Sequence, residues 1–188
     1  MRKGLRGMKE VEDIQGTGLI ADPIYHYMVM TDRVEGEQTE REVIDTPWVQ
    51  RLRRIFQLQS ARWVFPTAEH TRFQHSLGTL HVAGAFSEQL YPSLLKVFKT
   101  ELPSFSYIEE LLRLAGLLHD IGHGPFCHFF DEQYLSRFPT NHEEVGQYII
   151  REKISSLIKG IRQSPHGPYQ KTEVLDPEQV GFLIKRPR

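Results

Sequence analysis

Between residues 111 and 131 the chain reads LLRLAGLLHDIGHGPFCHFFD. An apolar run there ends in His119, Asp120, His123, His128 and Asp131, ionisable groups that cannot be left bare where the run is buried. Imidazole nitrogen and carboxylate oxygen together suit a borderline divalent ion such as manganese, iron, zinc, cobalt or nickel better than calcium. A second stretch, AEHTRFQHSLGTLH at 68–81, adds His70, Arg72, His75 and His81. Seven of the nine histidines thus fall between positions 70 and 142, and helical bundles build metal sites from such groups on separate helices.

The elements that must carry these groups are mostly helical. Residues 108–118 are apolar around nearly the whole circumference, which predicts a buried helix with His119 and Asp120 at its tip. Ser106 to Glu109 has the form of a capping box for that helix, and Thr140 to Glu143 repeats it for a helix through about Leu157. Another helix is expected from about His75 toward Leu90, with Leu77, Leu80, Ala83 and Phe86 on its apolar face. Asp45-Thr46-Pro47 reads as a helix start before WVQRLRRIFQL, and Asp176-Pro177 as the start of one more, running to the last residue. Residues 18–30 suggest a strand or hairpin around Asp22-Pro23, and 162–170 a loop. The fold class expected is therefore mainly α, a helical bundle with a short β-hairpin near the N-terminus.

Composition narrows the partners. At 188 residues the chain suits one domain, and a formal net charge of −1 argues against nucleic acid or an anionic membrane as the main partner. No run approaches the roughly 20 apolar residues of a membrane span, and MRKGLRGMKEVED has no apolar stretch, so no membrane partner and no signal peptide are expected. The lone Cys127 excludes an intrachain disulfide and fits a reducing, cytoplasmic setting.

Longer motifs give a resemblance. DPI at 22–24, IDTP at 44–47, QRLRRIFQL at 50–58, TRFQHSLG at 71–78, HDIGHGPFCHFFD at 119–131 and HEEVG at 142–146 stand in the order seen in the HD-domain metal-dependent phosphohydrolases, in their deoxynucleoside triphosphate triphosphohydrolase branch. The resemblance implies a divalent ion (Mn, Fe, Mg, Zn, Co or Ni) held by His75, His119 and Asp120. It casts His123 and His128 as histidines on the phosphate chain, and His142, oriented by Asp131, as the proton-transfer group. Arg72 would hold a phosphate, Gln57 and Leu58 would flank the deoxyribose, and Asp45 and Arg53 match positions for an activating nucleotide. Gly18 stands where the activated members place a basic residue.

The implied reaction is dNTP to deoxynucleoside plus triphosphate, with a nucleotide as substrate and a homo-oligomer as assembly. Family members take a fourth ligand, an aspartate, from a helix well beyond HEEVG. The last aspartate here is Asp176, so by the resemblance residues 1–188 form a single HD-type domain that is the N-terminal part of a longer fold. Hydrolysis of nucleoside monophosphates or cyclic nucleotides is the alternative chemistry, and a non-catalytic nucleotide-binding or interaction module the alternative role. Several residues have plainer readings: His26 and His81 as structural histidines, Arg51, Arg53, Arg54 and Arg62 as a solvated face, and Cys127 as a packed thiol.

Overall fold

The computed structural model describes residues 16–185. Strands β1 (Thr17–Asp22) and β2 (His26–Thr31) pair antiparallel from Thr17 opposite Thr31 to Asp22 opposite His26. Asp22 closes the turn, its Oδ1 accepting from the amides of Ile24 at 2.8 Å and Tyr25 at 3.0 Å. The expected hairpin is present. Helix α1 (Glu40–Ile44) and the one-turn α2 (Pro47–Gln50) follow, the latter capped by Thr46 with Pro47 in its first position. WVQRLRRIFQL does not continue as one helix. It tightens into a 3₁₀ turn over Arg51–Arg54, which buries Leu52 and Ile55, and Phe56 then bridges to Thr71.

Two helices dominate the interior, α3 (Arg72–Phe98) and α4 (Phe105–Leu118), joined by a short connection and packed side by side. Helix α3 is longer than its pattern suggests and passes through Pro92. Its buried stripe is Leu77, Leu80, Gly84 and Ser87; Ala83 is only part-buried and Phe86 is exposed, because the small Gly84 admits the Arg113 side chain of α4. The cap of α4 is Ser104, not Ser106: its Oγ accepts from the Tyr107 amide, and Glu173 grips the same residue at 2.6 and 2.7 Å. A long-range partner overrides the local box there.

After α5 (His128–Gln133), helix α6 (His142–Glu152) starts at Asn141 rather than Thr140, Asn141 Oδ1 accepting from the Glu144 amide at 2.9 Å. It stops short of Leu157. The Ile149 carbonyl accepts from both Lys153 and Ile154, turning the chain so that Ile154, which precedes α7 (Ser155–Gly160), and Ile158 within it enter the core. The expected loop at 162–170 holds a minute hairpin, β3 (Gln163–Ser164) with β4 (Gly167–Pro168). Helix α8 (Pro177–Ile184), capped by Asp176, packs on α4 and α6; the residues expected to extend it past 185 lie outside those described. Among the described residues no helix is long and apolar enough to cross a membrane.

Candidate metal centre

The crossing of α3 and α4 sets the centre. At the contact Gly116 lies so near Thr79 that a Cβ there would stand 2.8 Å from the Thr79 carbonyl oxygen, and Thr79 Oγ1 donates to the Gly116 carbonyl at 2.9 Å. His75 is one turn before Thr79 and His119 nearly one turn after Gly116, so the close approach puts both imidazoles at one end of the helix pair. Their Nε2 atoms are 3.1 Å apart, and Asp120 Oδ2 stands 3.3 Å from His119 Nε2 and 3.7 Å from His75 Nε2. Ligands about 2.0–2.1 Å from a tetrahedral ion are themselves roughly 3.3–3.4 Å apart, so this triangle has the size of a ligand set. The His119 Nδ1–H donates to the Gly116 carbonyl at 2.7 Å, which turns Nε2 toward Asp120 and the triangle. These residues fit a divalent ion. Among the described residues no further carboxylate joins the group, and Asp176 is occupied in capping α8.

Charge at the triangle is strongly organised. Burial would push the Asp120 carboxyl up, but hydrogen bonds from His119 and His123 and the nearby Arg72 guanidinium outweigh it and hold the group well below the usual carboxylate range. Burial lowers the pKa of His75, and of His123 despite its bond to Asp120. In His119, burial is outweighed by the hydrogen bond and charge of Asp120, and its pKa is raised.

A second set adjoins the first. Gly122 packs against the start of α6 so closely that a Cβ would overlap the His142 carbonyl oxygen. That contact brings His142 over His123, the rings stacked with centroids 3.8 Å apart, and His128 edge-on to both. Asp131 accepts from His142 Nδ1, which leaves His142 Nε2 as the free nitrogen. Donor atoms of His123, His128, Asp131 and His142 lie within 4.8 Å of one another, but lone pairs in two stacked, nearly parallel rings cannot meet at one ion. The arrangement suits proton transfer better than metal ligation.

The triangle and the three histidines of the second set line one cavity of about 290 Å³ with Gln57, Arg72, Glu143 and Ile184. Gln57 reaches it with a buried Oε1 that has no hydrogen-bond partner. Leu58 is outside the lining and half-exposed. Arg72 is fixed rather than free: nearly fully buried, it pairs with Asp120 and donates from Nε to Cys127 Sγ at 2.9 Å. Asp45 and Arg53 lie outside the lining. Asp45 is 3.6 Å from Arg41, while Arg53 bonds Gln50 at 2.7 Å and covers the Phe73 ring at 3.7 Å.

Cys127 is a packed thiol with an unforeseen task, accepting from Arg72 and donating to the Phe56 carbonyl at 3.2 Å. Its position beside His128 hides that partnership, since Arg72 is 55 residues away. Arg51, read as part of a solvated face, instead turns inward onto the carbonyls of Ile121 and His123.

A helical domain that gathers histidines and one aspartate from α3 and the end of α4 beside an open polar cavity defines a class, that of His-Asp metal-site proteins. The family model described as HD domain matches residues 72–180, and the chain belongs to that family. The chain is similar to the deoxynucleoside triphosphate triphosphohydrolase SAMHD1 homolog of Dictyostelium discoideum, 38% identical over 177 residues covering 84% of this chain and 32% of the relative. It is 38% identical over 174 residues to the human deoxynucleoside triphosphate triphosphohydrolase SAMHD1, covering 89% of this chain and 24% of that protein. The mouse protein is 42% identical over 98 residues, half of this chain and 14% of the relative. The chain therefore spans about a third or less of these curated relatives.

Proposed function

We propose that this chain is the metal-bearing part of a phosphohydrolase that converts a deoxynucleoside triphosphate to deoxynucleoside and triphosphate. The observation that carries the reading is the juxtaposition, in one cavity, of the His75, His119 and Asp120 triangle with His142, whose Nδ1 is held by Asp131. Family membership and the activity named for the relatives support the same reading.

His75, His119 and Asp120 would hold the divalent ion. Bound there, such an ion supplies Lewis acidity toward phosphate oxygens and acidifies water. The chain's own groups do the rest. Asp131 fixes the His142 tautomer, so Nε2 is placed to take a proton from an attacking water or give one to the leaving oxygen. His123 and His128, on the same wall, face the phosphate chain as donors. Arg72 holds Asp120 ionised and adds positive potential where the triphosphate would lie. Gln57 offers its amide to the sugar end, and Leu58 borders that end from outside the lining.

The proposal extends to a single HD-type unit, a nucleotide substrate, assembly with further copies of the chain and a cytoplasmic setting. Asp45 and Arg53, on the surface away from the cavity, are proposed as contacts for a second, activating nucleotide. The test is triphosphate release from each of the four dNTPs in manganese, with a nucleoside monophosphate and a cyclic nucleotide alongside. Release of triphosphate from dNTPs alone supports the reading. Turnover of the other two would transfer the chain to a different HD chemistry, and no turnover of any substrate would sink the catalytic reading.

A further inference from the structure

Arg51 makes no ion pair with any carboxylate among the described residues, although it is part-buried. Its guanidinium instead reaches 72 residues along the chain, Nη1 donating to the His123 carbonyl at 2.7 Å and Nη2 to the Ile121 carbonyl. Those carbonyls flank Gly122 in the turn that ends α4, a turn closed on its inner side by the His123 amide bonding the Asp120 carbonyl at 3.1 Å. The side chains of Asp120 and His123, carried by the same turn, are joined at 3.3 Å. A cation drawn partly out of water without a counter-charge is costly, and burial lowers this guanidinium's pKa. Two carbonyl oxygens at the negative end of a helix compensate it, and only a fork can reach both at once.

We infer that Arg51 is a positioning residue for the metal centre: by clamping the carbonyls on both sides of Gly122 it fixes the turn that presents Asp120 and His123. The inference rests on the reading that His75, His119 and Asp120 hold an ion. It gives Arg51 a task distinct from the solvated face of Arg53 and Arg54, its neighbours in the same 3₁₀ turn, which are exposed.

The test uses the full chain with cobalt(II) as probe, whose visible absorption reports ligand geometry, together with amide hydrogen exchange measured without metal. Variants are Arg51→Met, Arg51→Lys and, as a control that loosens the neighbouring core, Val49→Ala, since Val49 is fully buried two residues away. Losing an outer-shell partner typically costs about 10–100-fold in metal affinity, and Arg51→Met is expected in that range with an altered cobalt spectrum. Arg51→Lys, which keeps the charge but not the fork, is expected between Arg51→Met and wild type. Val49→Ala is expected to lose stability with the wild-type spectrum. Exchange of the 119–124 amides is expected to quicken in Arg51→Met and not in Val49→Ala.

Wild-type cobalt affinity and spectrum in Arg51→Met, or equal changes in Val49→Ala, would overturn the inference. If the wild-type chain takes up no cobalt, the metal reading fails on its own. Arg51 is then judged by exchange: quickening confined to 119–124 supports the clamp, and an unchanged pattern refutes it.

Discussion

Asp120 and Glu110 lie ten residues apart on one segment, at the tip and in the middle of α4, and their carboxyl groups are treated in opposite ways. Asp120 borders the cavity, receives hydrogen bonds from two histidines and pairs with Arg72, so it is held ionised. Glu110 is fully buried, neither of its oxygens has a hydrogen-bond partner, and Arg113 is 4.0 Å away. Burial first, and the adjacent Glu40 second, push its pKa well above the usual range. Arg113 serves Glu40 instead, donating from Nε at 2.7 Å and from Nη2 at 2.9 Å. Glu40 also accepts from the Thr31 amide and Arg113 bonds the Val29 carbonyl, so this cluster staples the hairpin to the two long helices. Donor supply, rather than burial alone, decides which way each acid is shifted. The one held low is where an ion can be bound, and the one pushed up is where a fold is joined.

If the tip is chemical and the middle structural, variants should separate the two. The largest effect expected is on turnover: His142→Ala should lower triphosphate release by about 10²–10⁴-fold while the chain keeps its metal, as read by kinetics and elemental analysis on the same sample. Arg113→Met should do the reverse. It leaves Glu40 unpaired in the core, an expected loss of about 3–5 kcal/mol by urea denaturation, with metal affinity retained in whatever fraction is folded.

A gentler probe of the middle is pH. Because the folded pKa of Glu110 is raised, the native state holds a proton that the unfolded chain releases near pH 4.3. Its contribution is intact below that pH and is lost as pH rises through the folded pKa. Glu110→Gln should therefore match wild type in acid and gain on it progressively toward neutrality; parallel stability curves would contradict this. The smallest effect is assigned to Cys127→Ser, whose hydroxyl can still accept from Arg72 and donate to Phe56. A change of about 1 kcal/mol or less is expected, with Cys127→Val costing more.

Much of this contrast could be read in the sequence at the tip and little of it in the middle. The HD pair, the apolar run before it and the glycines after it foretell a helix tip that needs a partner. A buried Asp120 beside a part-buried His119 obeys that rule whatever surrounds them. Glu109, Glu110 and Arg113, by contrast, stand in the helix expected to be buried with no local sign of a partner, and only the fold reveals that Glu40, 73 residues from Arg113, completes a core cluster. The same reason hid the tasks of Arg51 and Cys127 and shifted two helix caps: each depends on a partner 55 or more residues away, or on a choice between adjacent cap-forming residues. Helical periodicity placed the inner face of α3 at Leu77 and Leu80 but not beyond, where Gly84 is buried in place of Ala83 because a long arginine needs room.

The central claim is most directly tested by metal stoichiometry. The chain would be equilibrated with manganese or cobalt, freed of excess ion and assayed by elemental analysis beside His75→Ala and Asp120→Asn. One ion per wild-type chain, lost from both variants, is the result expected. A wild-type chain that retains none, or variants that retain as much as wild type, would contradict the assignment of His75, His119 and Asp120.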